Sequence, residues 1–88
     1  MLIQLNDDLC YINVNDENYI IHDNKKNVIF TIDYFGSFLI DQTKNKIELK
    51  DLINIVMEYF ELVNLDSDVE KYISVLIKKG ILKLIKGI

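Results

Sequence analysis

The first third of the chain has the apolar pattern of β-strands. Residues 9–14 are rich in β-branched and aromatic types, and their apolar positions partly alternate with polar ones. A second short strand is predicted at residues 19–22 and a third at residues 28–32, with short polar turn residues before each. This spacing predicts an antiparallel meander of three short strands.

The remainder of the chain has the pattern of helices. Asp33 is a suitable N-cap for a first helix over residues 34–41, because its carboxylate can accept hydrogen bonds from the first turn. A second helix is predicted over residues 49–60. Its apolar residues recur at the i, i+3, i+4 spacing of one buried stripe: Leu49, Leu52, Ile53, Val56 and Phe60.

A third helix is predicted to open at residues 67–70, whose sequence Ser-Asp-Val-Glu is a capping box. Gly80 suits the left-handed position that ends such a helix. Residues 81–86 are expected either to form a short terminal strand or to pack against the core. The buried stripe of this helix is predicted to contain Val69, Tyr72, Ile73, Leu76 and Ile77.

This order of elements predicts the α+β class, with a three-stranded antiparallel sheet followed by three helices in a winged helix-turn-helix-like arrangement. The 88 residues have room for one hydrophobic core, so a single domain over residues 1–88 is expected. No signal peptide is recognisable, and no apolar run approaches the roughly 20 residues of a membrane span. One cysteine, Cys10, fits a reducing compartment. A cytoplasmic protein without a membrane partner is expected.

The charge is divided unevenly along the chain. Ten lysines stand against fourteen acidic residues, yet the segment from Lys71 to the end holds five lysines and no acid. An acidic body argues against binding along a phosphate backbone, whereas a local basic element permits a site for an acidic peptide. Equally, lysines near a helix C-terminus complement the helix dipole.

Groups that could carry catalysis are scarce. His22 and Cys10 are the only histidine and thiol, and neither has a recognisable third partner. A structural metal site needs about four N or S ligands. We therefore expect no enzyme activity, no cofactor and no metal site. Cys10, on the same strand face as Ile12 and Val14, is expected to be a small buried apolar side chain.

Three motifs follow one another at a characteristic spacing. The strand at residues 28–32 leads into a helix with a glycine, Gly36, near its start. Residues 48–60 have an ELxxxLxxxY-like run. A DVxxxxxxLxxxGxL pattern is then matched by Asp68, Val69, Leu76, Gly80 and Leu82. In this order and spacing the chain resembles the PqqD-like RiPP recognition element family. That family commonly has Leu-Asn before the first helix, where this chain has Ile32-Asp33. In both cases an apolar residue is followed by one that can cap the helix.

The resemblance implies a stand-alone, non-catalytic protein that binds the leader segment of a ribosomally synthesised precursor peptide. Such proteins deliver the precursor to a modifying enzyme, for example a radical-SAM maturase or a leader peptidase. The leader adds as an extra strand beside the third predicted strand and rests in a groove between that strand and the third helix.

The residues agree with such a groove. On the third helix, Tyr72 and Val75 share a shoulder beside the core stripe, and lysines lie near it. The third strand carries no charge, which suits an edge that is meant to be occupied by a peptide or by a second copy of the chain. The predicted peptide-binding residues are Val28, Ile29, Phe30, Thr31, Ile32, Asp68, Lys71, Tyr72, Val75, Lys78 and Lys79.

Interpretations in which these residues have no binding role stay open. Tyr72 can belong to the core, with Val75 an incidental exposed apolar residue. The strand at residues 28–32 can serve the core with alternate side chains and have no further role.

Two other classes of protein compete with the peptide-binding hypothesis. A winged-helix nucleic-acid-binding regulator has the same elements, but its recognition helix should present Arg, Lys, Asn or Gln to bases. The predicted third helix offers lysines but no Arg, Asn or Gln, and the pI is near 4.8. No nucleic-acid partner is therefore expected. A structural docking domain without a peptide site is the other alternative.

Overall fold

The computed structural model describes residues 1–15 and 18–85, which form six strands and three helices. Their bounds are β1 (Leu2–Leu5), β2 (Cys10–Val14), β3 (Asn18–Asp23), β4 (Val28–Ile32), α1 (Tyr34–Gln42), β5 (Ile47–Glu48), α2 (Leu49–Tyr59), α3 (Asp66–Lys78) and β6 (Leu82–Ile85). The predicted α+β class, with a three-stranded antiparallel sheet (β2, β3 and β4) and three helices after it, is confirmed, and β1 and β5 are additional strands.

The three predicted strands form one antiparallel sheet in the order β2-β3-β4. The register places Ile21 of β3 between Tyr11 and Phe30, and Tyr19 between Asn13 and Ile32. Tyr19 and Ile21 are buried on the inner face. The sheet is therefore a meander whose middle strand serves the core and whose outer strands form two edges.

A second antiparallel sheet, in the order β5-β1-β6, was not predicted. Ile3 of β1 is fully buried, and β1 pairs with residues 47–48 on one side and 82–85 on the other. Of the two alternatives for the C-terminal segment, the structure shows the strand, β6. Lys86, at the end of the predicted segment, lies outside the described residues.

The first two helices match their predictions. Asp33 caps α1, since its Oδ1 accepts a hydrogen bond from the backbone N–H of Gly36 at 3.0 Å. Leu39 and Ile40 of α1 are fully buried. In α2 the central residues of the predicted stripe are buried, namely Leu52, Ile53 and Val56.

The start of α3 differs from its prediction. The helix begins at Asp66, with Leu65 in the N-cap position and no side-chain cap, so the capping box at residues 67–70 is wrong. Asp66 and Asp68 instead place negative charge in the first turn, where it complements the positive end of the helix dipole.

The end of α3 is as predicted. Gly80 has φ +81°, its N–H donates to the carbonyl oxygen of Ile77, and the N–H of Ile81 donates to that of Leu76. These two bonds form a Schellman motif, which ends the helix and turns the chain into β6.

One hydrophobic core joins both sheets to all three helices. Fully buried side chains come from β1, β3, α1 and α2, here Ile3, Ile21, Leu39 and Leu52. Cys10 is exposed, contrary to expectation, because the register of β2 turns it away from this core. Within residues 1–15 and 18–85, no helix has the length and apolarity needed to span a membrane.

Candidate functional site

Strand β4 is one edge of the β2-β3-β4 sheet. It pairs with β3 on one side, and within the described residues no strand pairs with its other side. Its side chains alternate: Ile29 is 67% exposed on the outer face, whereas Phe30 is half-buried and Ile32 is buried on the inner face. The strand from Val28 to Ile32 carries no charge. Edge N–H and C=O groups without a ladder partner are a template for strand addition.

The end of β4 contacts α3 through Asp33 and Tyr72. The hydroxyl of Tyr72 donates to Oδ1 of Asp33 at 3.4 Å, the same oxygen that caps α1. Gly36 makes this approach possible, because a Cβ at that position would collide with Cγ2 of Ile32 and would lie 2.7 Å from the Tyr72 hydroxyl. The glycine near the start of α1 therefore has a packing reason.

Tyr72 remains a hydrogen-bond donor over the whole neutral range. Burial, the negative charge of Asp33 and the hydrogen bond to that carboxylate together raise the pKa of Tyr72 to about 12. The phenol is therefore protonated near neutral pH and holds α3 against the end of β4.

A second contact joins the middle of β4 to the end of α3. The Nζ of Lys79 lies over the ring of Phe30, 5.4 Å from its centroid, which is within the range of a cation–π interaction. Lys79 lies seven residues after Tyr72 along the helix, a rise of about 10.5 Å. Phe30 lies three residues before Asp33 along the strand, a distance of about 10 Å. The two distances match, so α3 runs alongside β4 in the opposite direction.

Val75 lies between these two contacts on the same face of α3. It is 49% exposed although it is apolar. We call the space between the edge of β4 and this face of α3 the β4–α3 groove. Four of the predicted residues border it through the contacts described above and the position of Val75 between them, namely Phe30, Tyr72, Val75 and Lys79, and Ile32 is buried beneath the end of β4.

The other predicted residues lie elsewhere on α3 and β4. On α3, Asp68, Lys71 and Lys78 are exposed, with Asp68 towards the start of the helix and Lys78 at its end. On β4, Thr31 is exposed beside Ile29 on the outer face of the sheet, and Val28 is 37% exposed.

Sequence reasoning missed the uncharged outer face of this sheet. The register aligns Ile12, Ile20 and Thr31 in one row across the three strands, and Ile12 is 56% exposed. A cavity of about 380 Å³ opens at one end of this face, lined by Val14, Asn18, Tyr19, Ile20, Thr31, Ile32 and Asp33. The alternation within each strand was visible, but the cross-strand register that joins the apolar residues was not.

The described residues contain few side chains that could serve catalysis or hold a metal ion. Cys10 and His22 lie directly opposite each other in the β2–β3 register. Within residues 1–15 and 18–85, no group of three or more His, Cys, Asp and Glu side chains could hold a metal ion.

The comparisons with known proteins bear on the fold. A scan against protein-family models finds no match, and a search of curated proteins also finds none. Among solved structures, this chain is similar to the one described as "TbiB1 in Complex with the TbiA(beta) Leader Peptide", with a TM-score of 0.78 and 10% sequence identity. The match covers 96% of this chain and 99% of that one. The chain therefore has the fold of TbiB1, a protein whose structure was solved with a leader peptide.

Proposed function

We propose that this protein binds the leader segment of a ribosomally synthesised precursor peptide by strand addition to β4. The observation that carries the proposal is an uncharged edge strand beside an apolar groove, in the fold of a protein that was solved with a leader peptide. The bound precursor is then presented to a modifying enzyme, such as a radical-SAM maturase or a leader peptidase.

Strand addition divides the work between backbone and side chains. The N–H and C=O groups on the free side of β4 supply affinity for any extended peptide. Successive peptide side chains point to opposite faces. One set enters the β4–α3 groove beside Phe30 and Val75, and the other joins Ile29 and Thr31 on the outer face. Specificity therefore resides in every second residue of the peptide.

The two ends of the groove carry charges of opposite sign. Lys78 and Lys79 lie at the end of α3 that faces Phe30, whereas Asp68 lies near the start of the helix. An acidic peptide residue is stabilised near the lysines and repelled by Asp68. We therefore propose a leader with apolar anchors and an acidic residue at the Phe30 end. Lys71 lies on the same outer side but near the start of the helix, one turn from Asp68, whose charge it partly offsets.

The protein acts as one domain in the cytoplasm, without a cofactor and without catalysing the modification itself. When no peptide is present, the free edge of β4 can pair with a second copy of the chain. A leader peptide should then dissociate that dimer, which sedimentation velocity can measure.

The direct experiment is a fluorescence-anisotropy titration. The probes are labelled peptides that tile the short open reading frames next to this gene. We expect one of them to bind saturably with a Kd below about 100 μM, a binding free energy of about −5.5 kcal/mol or stronger. Absence of saturable binding to folded protein would contradict the proposal. Binding of DNA that weakens steeply with salt would favour the nucleic-acid alternative.

A backbone scan of the binding peptide separates strand addition from other modes. N-methylation removes one N–H donor at a time and leaves the side chains in place. Along an added strand only alternate N–H groups face β4, so affinity should fall at every second position. A helical peptide in the groove would instead show no period of two. Because the protein is unchanged, its folding cannot confuse the result.

A further inference from the structure

Six aromatic rings meet on the side of the helices formed by α1, the end of α2 and α3. Phe60 is the centre of the cluster: its ring centroid lies 5.0 Å from those of Phe35 and Tyr59 and 5.3 Å from that of Phe38. Phe38 and Tyr59 are stacked at 4.2 Å. The aromatic patch, as we call it, consists of Tyr34, Phe35, Phe38, Tyr59, Phe60 and Tyr72.

The outer part of the aromatic patch faces solvent. Tyr59 is 55% exposed and Tyr34 is 47% exposed, and their hydroxyl oxygens are 2.9 Å apart in a hydrogen bond. The stacking and the hydrogen bond hold Tyr59 in place while its ring remains accessible. Beside it lies a cavity of about 360 Å³, lined by Phe38, Gln42, Ile55, Glu58 and Tyr59. Fixed, accessible aromatic rings next to a cavity are typical of an interaction surface.

One of the residues that line this cavity is charged, and it is the acid Glu58. From Asp51 to Glu70 the chain contains six acidic residues and no lysine. Glu58 lines the cavity, and none of the three ion pairs found within residues 1–15 and 18–85 involves it. Asp41, by contrast, accepts a hydrogen bond from Tyr19 and pairs with a lysine. The cavity therefore combines aromatic rings with a carboxylate that is not neutralised by a lysine of this chain.

We infer that the aromatic patch binds a segment of a partner protein that presents arginine or lysine with apolar neighbours. A guanidinium group stacks on an aromatic ring through cation–π attraction and pairs with a carboxylate at the same time. Tyr59 supplies the exposed ring, Glu58 the carboxylate, and Ile55 and Phe38 the apolar floor.

The cavity beside Tyr59 is separate from the β4–α3 groove, since it is lined by residues of α1 and α2 only. Tyr72 belongs to both the aromatic patch and the groove, and its ring contact with Phe35 joins them. A partner at the patch leaves the edge of β4 open, so a peptide and a partner can be held at once. The charges also distinguish the two ligands, because Lys78 and Lys79 lie at one end of the groove while Glu58 lines the cavity of the patch.

The probe is an acetylated Leu-Arg-Leu-Arg amide peptide, with its citrulline twin as a neutral control of nearly the same shape. Titration into the ¹⁵N-labelled full chain should shift the amide signals of Gln42, Ile55, Glu58 and Tyr59 saturably. The citrulline peptide should bind at least about tenfold more weakly, a difference of about 1.4 kcal/mol. Equal affinity of the two peptides would overturn the inference.

Two charge reversals of equal size locate the site. Glu58→Lys should reduce the affinity for the arginine peptide at least about tenfold, whereas Glu61→Lys, outside the cavity, should change it less than about threefold. Glu58 lies in the last turn of α2, where a lysine suits the helix dipole, so the fold should be retained. Equal losses in both variants would show general charge attraction and overturn a defined site.

A third variant tests the ring itself. Tyr59→Leu keeps an apolar side chain and should still weaken the arginine peptide about threefold or more. Self-association that Glu58→Lys abolishes would show that the basic end of a second copy fills the patch, and would overturn the assignment to a different protein.

Discussion

The two edge strands of the β2-β3-β4 sheet are alike in sequence but differ in their surroundings. Both carry no charged residue, and each exposes an isoleucine: Ile12 in β2 is 56% exposed and Ile29 in β4 is 67% exposed. β2 is anchored by Tyr11, whose hydroxyl donates to the carbonyl oxygen of Asn6. β4 instead lies alongside α3, with Lys79 over its Phe30.

The difference teaches what an edge needs in order to select a peptide. Open N–H and C=O groups bind an extended chain of any sequence, and side-chain pockets are required for discrimination. At β4 the contacts of Tyr72 and Lys79 also bring a helix face with an exposed valine beside the strand.

The largest expected effect is on binding in the groove. Val75→Glu should weaken leader binding at least about hundredfold, about 2.8 kcal/mol, because a peptide in the groove would desolvate the new carboxylate and lose its apolar contact with Val75. The control is Val63→Glu, the same change at a valine that is 75% exposed. It should leave affinity unchanged. Both variants should unfold within about 0.5 kcal/mol of the parent. Normal affinity of Val75→Glu would show that the peptide lies elsewhere.

The next effect distinguishes Gly36 from Gly80. Gly36→Ala should lower the free energy of unfolding by about 2 kcal/mol, because its Cβ meets Ile32 and Tyr72. Gly80→Ala should cost about 1 kcal/mol, since φ is +81° but nothing lies within 4 Å. Urea unfolding gives both values. Gly36→Ala should in addition weaken leader binding, because it moves α3 away from β4, while Gly80→Ala should not. Equal binding by both variants would contradict this role of Gly36.

Hydrogen exchange compares the two edges within one molecule. Leader binding should slow the exchange of alternate backbone amides of β4 about tenfold or more, since they donate to the added strand. The amides of β2 should keep their rates. Protection of β2 instead of β4 would show that the peptide binds at the β2 edge. Protection of both would indicate that binding stabilises the whole sheet. The measurement is amide exchange by NMR with and without peptide.

Much of the fold was predictable from local pattern. Asp33 stands before an apolar stretch as a cap should, and Gly80 follows one, so the ends of α1 and α3 could be located. β1 could not, because its four residues are too few to show a period and their partners lie more than 40 residues away. The start of α3 was misplaced because Asp66, Ser67 and Asp68 in succession all suit a helix start.

The groove was predictable only as a set of residues on two elements. Periodicity placed Tyr72 and Val75 on one shoulder of a helix, and the family resemblance placed that shoulder beside a strand. The contact of Lys79 with Phe30 depends on how α3 packs, which no local pattern encodes. The aromatic patch was missed for the same reason, since its rings come from three helices.

A smaller effect on stability and on binding is expected at the Phe30 end of the groove. Lys79→Gln removes the cation above Phe30 and should lower the free energy of unfolding by about 0.5 kcal/mol. It should also weaken an acidic leader about threefold. Lys78→Gln changes the same charge at the neighbouring exposed position and should leave unfolding unchanged. Identical unfolding curves for the two variants would show that the cation–π contact does not stabilise the fold.

The smallest effect concerns Tyr72, and its sign is set by the pKa. Tyr72→Phe removes a 3.4 Å hydrogen bond to Asp33 and should cost about 0.5 kcal/mol at pH 7. In the parent, folding raises the pKa of Tyr72 from 10.0 to about 12, so the folded state holds this proton more tightly. That stabilisation is complete below pH 10 and is lost as pH rises towards 12. The free energy of unfolding, measured with urea, should therefore fall less steeply with rising pH in Tyr72→Phe than in the parent. Some alkaline loss should remain, because burial and Asp7 also raise the pKa of Tyr11. An unchanged pH dependence would mean that Tyr72 does not hold α3 against the end of β4.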